Sequence, residues 1–277
     1  MNGSSAPMAG VLGWPVRHSL SPRLHGHWLK RYDLPGSYEH LPVPPELFEG
    51  YVRALATNGY AGANVTLPHK EAALALCDEV DPAARAIGAV NTLIFRDGRI
   101  EGQNSDAFGF LESLRQDLPA WKPSTGPAVV LGAGGAARAI VFALKSAGVS
   151  EIRVVNRSAA RAERLVADFG SSVTARPWTA AGLVDTCLLV NATSLGMAGQ
   201  PPLELDLQSL PSTAAVADIV YQPLRTELLS RASAAGHATM DGLGMLLHQA
   251  RPGFEAWFSH RPEVDAALRA AVLEGLT

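Results

Sequence analysis

The sequence predicts an α/β protein in two domains, and three observations predict it. Short apolar runs alternate with longer segments patterned at helical spacing through most of the 277 residues, as in crossover units built on a largely parallel sheet. A glycine-rich turn, Gly132-Ala133-Gly134-Gly135-Ala136-Ala137, stands between one such apolar run and a helical pattern. Proline, glycine and serine cluster between 119 and 127, just upstream of that run, and read with the helix before them as a boundary. The expected organisation is a loose tail over 1–9, a first α/β domain over 10–106 and a second, doubly wound domain over 107–242. A C-terminal helical segment over 243–277 would return to the first domain, and a cleft would lie between the two domains.

In the first domain, Val11-Leu12-Gly13 reads as a strand that runs into the polar loop Arg17-His18-Ser19-Leu20-Ser21-Pro22. Pro22 suits the first helical position with Ser21 as its cap, and the helix should continue through Lys30. Tyr38 to Val43 reads as a second strand, Leu47 to Thr57 as a helix stopped by Asn58-Gly59, and Ala61 to Thr66 as a third strand. Pro68 should open a helix that runs through Cys77. Ala89–Phe95 and Arg99–Gln103 flank Asp97-Gly98, a hairpin signal because both turn positions must take positive φ. A helix over 107–117 follows.

Composition excludes several classes. Hydrophobic residues make up 47% and charged residues 18% of the chain, as in a globular protein. A net charge of −3 offers no footprint for nucleic acid or a membrane surface. No run approaches the ~18 apolar residues that span a bilayer, and the first residues lack the basic and apolar regions of a signal peptide. Cys77 and Cys187 stand far apart in apolar surroundings and read as two buried thiols. A cytoplasmic protein fits all of this.

The second domain begins with Ala128-Val129-Val130-Leu131, and the glycine-rich turn follows it directly. Strand, G-x-G-x-x-A, helix over 136–147 stopped by Gly148, and strand Ile152-Arg153-Val154-Val155 together are the context that a Rossmann-type dinucleotide site requires. Gly132 permits the tight turn, Gly134 lets the backbone approach a pyrophosphate, and Ala137 lets helix and strand pack closely. The helix start, from Gly135 and Ala136 beside Ala133, offers unpaired N–H groups to phosphates. After the second strand an NAD protein usually carries an acidic residue for the ribose 2′-hydroxyl. Here Asn156-Arg157-Ser158 and then Arg161 stand instead. Arginine supplies charge and forked donors to a 2′-phosphate, so the predicted cofactor is NADP.

Three polar clusters lie at predicted strand ends: Ser19 with Ser21, Asn64 to Lys70, and Asn91-Thr92 with Asn104-Ser105-Asp106. Hydroxyls, amides, one ammonium and one carboxylate suit a small polyhydroxy acid better than a phosphate, a metal or a nucleic acid. Lys70 falls in the first turn of its helix, where the dipole disfavours a cation unless a carboxylate compensates. Lys70 and Asp106 meeting over a substrate hydroxyl would make a proton-transfer pair. On spacing alone, a surface lysine and an unrelated capping aspartate outweigh that pairing.

The run Gly13-Trp14-Pro15-Val16-Arg17-His18-Ser19-Leu20-Ser21-Pro22 resembles the G-x-P-x-x-H-S-x-S-P signature of shikimate dehydrogenases, within the shikimate/quinate dehydrogenase family. Asn64-Val65-Thr66-Leu67-Pro68-His69-Lys70 resembles the family's N-V-T-x-P-x-K. Further blocks match in order: 88–92, 102–109, 132–137, 156–158, 191–197, 218–223 and 241–250.

The resemblance implies reversible NADPH-dependent reduction of 3-dehydroshikimate to shikimate, in the route to aromatic amino acids, by a monomer or a homodimer. It implies that Ser19 and Ser21 hold the substrate carboxylate with Tyr221. Thr66, Asn91, Asp106 and Gln249 would hold ring hydroxyls, and Lys70 would be the acid/base beside Asp106. Asn156, Arg157, Ser158 and Arg161 would hold the 2′-phosphate. Thr193, Ile219 and Gly242 would line the nicotinamide side, and Asp81 would lie near the cofactor. Ser105 departs from the pattern, which commonly has threonine there; the hydroxyl is kept and a methyl lost. A looser quinate/shikimate enzyme, or a non-catalytic binder of NADP and a small acid, remains the alternative. His25 and His27 read as helix-face histidines rather than metal ligands, and Trp28 and Trp257 as packing residues.

Overall fold

The computed structural model describes residues 6–178 and 183–275. The chain divides into two compact units. One comprises the chain up to Ser105 together with the chain from Gln249 onward, and the other is Asp106–His248.

The first unit is built on a mixed six-stranded sheet. Its strands are β1 (Met8–Gly13), β2 (Ser37–Pro42), β3 (Tyr60–Val65), β4 (Glu79–Val80), β5 (Thr92–Arg96) and β6 (Arg99–Gln103), in the order β2-β1-β3-β5-β6-β4. Strands β1, β2 and β3 are mutually parallel, and β5 runs antiparallel to both β3 and β6. The antiparallel pair is the hairpin read from Asp97-Gly98, whose φ values of 51° and 75° are both positive.

Helices cover both faces. Helices α2 (Phe48–Thr57), α3 (Lys70–Leu76) and α4 (Pro82–Ile87) enclose a core of Leu12, Leu41, Phe48, Val52, Ala63, Val65, Ala73, Leu93 and Ile100. On the opposite face α1 (Ser21–Arg31) brings Trp28 and His25 against Tyr38, Phe254 and Trp257. Trp28 and Trp257 are packing residues with their indole N–H groups satisfied, by the Glu263 carbonyl at 2.9 Å and the Leu93 carbonyl at 3.0 Å. Gly62 makes room for Trp257: a Cβ there would stand 2.1 Å from Nε1 and from the Leu93 oxygen.

The second unit is an all-parallel sheet. Its strands are β7 (Ala128–Leu131), β8 (Ile152–Val155), β9 (Val173–Arg176), β10 (Leu188–Asn191), β11 (Ala215–Asp218) and β12 (Thr239–Met240), in the order β9-β8-β7-β10-β11-β12. Numbered within the unit this is 3-2-1-4-5-6, the doubly wound dinucleotide-binding order, with its switch point between β7 and β10. Its helices are α5 (Asp106–Asp117), α6 (Gly135–Ser146), α7 (Ala159–Phe169) and α8 (Glu227–Ala234). Near-continuous apolar strands such as Ala128–Leu131, buried at every position, follow from coverage on both faces.

The chain returns to the first unit inside α9 (Gly242–Phe258), followed by α10 (Ala266–Leu273). The passage falls at Gln249 rather than at 243, because the first turns of α9 pack within the second unit. There Gly244 lies against Ser113 of α5, where a Cβ would meet the Ser113 hydroxyl at 2.2 Å.

Several local expectations are corrected. Met8 and Ala9 are not tail: Ala9 pairs with both Tyr38 and Gly62, so β1 is a central strand from its first residues. Residues 1–5 lie outside the described residues. Ser21 is not the cap of α1; Leu20 holds that position with no side-chain cap bond, and the Ser19 hydroxyl accepts from the Ser21 N–H at 3.3 Å. Pro68 precedes α3 rather than opening it; His69 is the N-cap and Lys70 the first helical residue. The helix and the segment over 107–127 that read as a boundary belong to the second unit, where α5 packs on α6; the division falls at 105/106, one residue from the expected 106/107. Cys77 and Cys187 are half-buried free thiols, each against a backbone carbonyl (Ala73 and Gly126), and burial pushes the Cys77 thiol up to about 11.

Candidate functional site

In the first unit, the carboxyl ends of β1, β3 and β6 and the amino end of β5 come to one edge of the sheet. Backbone bonds tie the loops there: Thr66 N to Leu12 O at 2.8 Å, Trp14 N to Leu67 O at 3.1 Å and Val65 N to Asn91 O at 2.8 Å. The Val90 N–H donates to the Lys70 carbonyl at 2.9 Å, so the first residue of α3 is fixed to the residue before Asn91. His69 anchors the same helix start: Nε2 lies 2.8 Å from the Val43 carbonyl and its ring stacks on Phe48 at 4.3 Å.

This edge gathers Ser19, Ser21, Thr66, Lys70, Asn91 and Gln249. The Ser19 hydroxyl donates to the Ser21 hydroxyl at 3.2 Å, and His40 Nε2 lies 3.0 Å from the Ser19 carbonyl. Asn91 is 2% exposed and is held on both amide atoms. Its Oδ1 accepts from Ser105 N at 2.8 Å and from the Thr92 hydroxyl at 2.9 Å. Its Nδ2 reaches Ser105 Oγ at 3.1 Å and Gln249 Oε1 at 3.5 Å. The Tyr38 hydroxyl donates to Asn64 Oδ1 at 2.6 Å, and Asn64 Nδ2 donates to Thr92 Oγ1 at 3.3 Å. Ser105 thus does what its hydroxyl predicts, inside one buried network. Thr66 and Lys70 are half-buried, and the Lys70 carbonyl is bonded to Val90, the residue before Asn91. Tyr38 was not singled out in the sequence; a tyrosine inside a strand signals packing, and its hydroxyl finds Asn64 only because β1 pairs with both β2 and β3.

Asp106 follows Ser105 in the chain, opens α5 and is 6% exposed. It belongs to the second unit, as does half-buried Tyr221, whose phenol burial pushes above its usual range.

The second unit carries the glycine turn at the carboxyl end of β7. Gly132 has φ +112°, and a Cβ there would approach the Ala192 carbonyl to 3.0 Å, so position 132 requires glycine. A Cβ at Gly134 or Gly135 would meet nothing within 4 Å, leaving an open cradle beside Ala133. Gly134 caps α6 without any side-chain bond, and Ala136 lies in the first turn. Buried Ala137 packs the helix against the strand. Backbone N–H groups, an open cradle and a 12-residue helix fit a pyrophosphate.

Past β8, Asn156 Nδ2 donates to the Ser158 carbonyl at 2.9 Å, and Ser158 caps α7 without a side-chain bond. The side chains of Arg157 and Arg161 are exposed and have no ion-pair partner among the described residues. Two uncommitted guanidinium groups beside an amide and a hydroxyl fit a phosphate monoester.

Thr193 lies beyond β10, Ile219 beyond β11 and Gly242 opens α9, all in the second unit. Asp81 lies in the first unit and caps α4: Oδ1 accepts from Ala84 N and Oδ2 from Asn104 N at 3.4 Å. Its carboxylate is occupied structurally. His25 is fully buried and stacked on Tyr38 at 3.9 Å, which makes it a core residue.

Three family models match the chain: the shikimate dehydrogenase substrate binding domain over 11–93, shikimate / quinate 5-dehydrogenase over 116–188, and the shikimate 5′-dehydrogenase C-terminal domain over 242–272. Shikimate dehydrogenase (NADP(+)) of Paramagnetospirillum magneticum is 60% identical over 271 residues, covering 97% of this chain and 98% of the relative. That of Rhodospirillum rubrum is 58% identical over 275 residues, covering 97% of each. Among solved structures, shikimate 5-dehydrogenase of Thermus thermophilus in complex with NADP(H) and shikimate is 40% identical. Its TM-score is 0.88, with 98% of this chain and 100% of that one covered. Quinate dehydrogenase of Corynebacterium glutamicum in complex with NAD is 30% identical with TM-score 0.89, covering 98% and 99%.

Proposed function

Because the chain belongs to the shikimate dehydrogenase family, we propose that it catalyses the reversible NADPH-dependent reduction of 3-dehydroshikimate to shikimate. The observation that carries this reading is the position of Lys70. Half-buried Lys70 opens α3 with its backbone held by Val90, next in the chain to Asn91 and its network of hydroxyl and amide bonds.

Ser19 and Ser21 would hold the substrate carboxylate together with Tyr221. Thr66, Asn91, Asp106 and Gln249 would hold the ring hydroxyls. In the oxidative direction neutral Lys70 would take the proton of the reacting hydroxyl, and in the reductive direction its ammonium would return it. Asp106 would be the partner carboxylate of that proton transfer. The Gly132 turn, with Ala133, Gly134, Gly135 and Ala136, would hold the pyrophosphate. Asn156, Arg157, Ser158 and Arg161 would hold the 2′-phosphate, Thr193, Ile219 and Gly242 the nicotinamide side, with Asp81 nearby. Bound NADP supplies the redox chemistry through its nicotinamide. The chain supplies orientation, which places the hydroxyl against the amine, and the proton. Among the described residues no helix is long and apolar enough to cross a membrane. We place the reaction in the cytoplasm, carried out by a monomer or a homodimer.

The test is an absorbance assay of reduced-nucleotide formation with shikimate and with quinate, each supplied with NADP and with NAD. Shikimate with NADP is expected to give the highest kcat/KM. Quinate with NAD turning over as well would favour the looser dehydrogenase, and no turnover of any pair would leave a binder. In the same assay Lys70→Ala should lower kcat by roughly 10²–10⁴ while KM for shikimate changes less. A near-normal kcat would remove Lys70 from the chemistry.

A further inference from the structure

A buried carboxylate in the second unit has no part in the reading above. Asp218 ends β11, is 1% exposed, and among the described residues has no cationic partner. Burial pushes its carboxyl above the usual range, opposed by three donors. Oδ1 accepts from Asn191 Nδ2 and from Val220 N, each at 3.0 Å, and Oδ2 accepts from the Thr226 hydroxyl at 2.7 Å. An uncompensated buried charge is expensive, so a carboxylate held only by dipoles calls for a reason.

The reason lies in what the donors hold in turn. Asn191 ends β10, the strand beside the switch point, where doubly wound sheets bind their ligands. While Nδ2 is fixed by Asp218, Oδ1 accepts from the Thr193 N–H at 3.0 Å and from the Thr193 hydroxyl at 2.7 Å. The Thr193 hydroxyl accepts from Leu195 N at 3.1 Å, and Asn191 Nδ2 also reaches the Leu195 carbonyl at 3.1 Å. Ile219 is tied back through its N–H to the Asn191 carbonyl at 3.1 Å. The Val220 carbonyl accepts from Gly242 N at 3.3 Å, and position 242 admits no Cβ, which would stand 2.2 Å from the Ile219 oxygen. Thr193, Ile219 and Gly242 therefore all take their places from one buried carboxylate and the amide beside it.

We propose that Asp218, with Asn191 and Thr226, is a positioning network that sets the two loops which orient the nicotinamide half of the dinucleotide. The inference rests on NADP binding to this unit. It assigns Asp218 no contact with substrate or cofactor, and it separates the two halves of the cofactor. The glycine cradle and the Asn156–Arg161 segment hang on β7 and β8, and among the described residues none of their hydrogen bonds runs through Asp218.

That separation gives the test. Isothermal titration of adenosine 2′,5′-bisphosphate, which has the adenosine and the 2′-phosphate but no nicotinamide, reports only the second half. Asp218→Asn should weaken NADP about tenfold, the size of one lost charge-assisted bond, and leave the bisphosphate within about twofold. Thr226→Val, which removes the donor to Asp218 together with the hydroxyl that caps α8, should do the same more weakly, and Thr226→Ser, which keeps both bonds, should restore NADP binding; these two decide the matter if Asp218→Asn does not fold. Equal weakening of both ligands would mean a general structural role and overturn the proposal, as would unchanged NADP affinity in both Asp218→Asn and Thr226→Val. Failure of the unaltered chain to bind NADP would overturn the cofactor reading itself and this inference with it.

Discussion

His25 is a polar residue type used as packing. Its ring is fully buried between Tyr38 and the aromatic residues of α1 and α9, and neither ring nitrogen has a hydrogen-bond partner among the described residues. Burial pushes its pKa down to about 3. As pH falls below ~6.5 the unfolded chain binds a proton that the folded chain refuses until about 3. The stability from neutral His25 is therefore complete above that range and lost as pH falls through it, by about 1.4 kcal/mol per unit. His25→Phe keeps a ring of similar size and removes the titration. Urea unfolding at about pH 7 and pH 5 should show the variant losing about 2 kcal/mol less than the parent across that interval. Equal losses would place the acid sensitivity elsewhere. With no acidic or cysteine partner beside them, His25 and His27 read in the sequence as helix-face histidines; local sequence could not reveal this stack, since Tyr38 reaches His25 from another element.

At the scale of elements, signals that live in two or three adjacent residues were legible and caps were not. Asp97-Gly98 specifies its hairpin because both positions need positive φ, and both have it. A Cβ at Gly98 would meet nothing within 4 Å, so the only cost of Gly98→Ala is backbone conformation. The variant should lose about 1–2 kcal/mol in urea unfolding, with kcat for shikimate unchanged because the turn lies at the end of the hairpin away from Thr92 and Gln103. A larger loss, or a fall in kcat, would mean that the hairpin register responds to its turn. The starts of α1 and α3 were misread by a residue or two for a shared reason. Serine and proline near a helix start fit more than one capping position, and the choice is made by tertiary bonds, such as that of His69 with Val43, which local sequence does not contain.

For the whole molecule, the parallel half of the fold was written in alternation and in the glycine turn, which together dictate crossovers and hence the 3-2-1-4-5-6 order. The polar network around Asn91 was legible as an inventory but not as a set of bonds. Asn91 and Gln249 stand 158 positions apart, and no periodicity links them. The cofactor preference depends on how global and local charge differ. The chain carries a net −3, which repels a dinucleotide that bears a 2′-phosphate, so in the proposed reading the attraction comes from exposed Arg157 and Arg161. Exposed pairs are screened, and the Debye length shrinks from roughly 13 Å at about 0.05 M salt to about 4 Å at 0.5 M. Raising salt over that range should therefore raise KM for NADP several-fold more than KM for NAD, narrowing the preference for NADP. Arg157→Ala should begin with the narrower preference and show a flatter salt response, because the charge being screened is already gone. Parallel salt dependence of the two cofactors in the parent would show that the 2′-phosphate is held by the neutral donors of Asn156 and Ser158 instead.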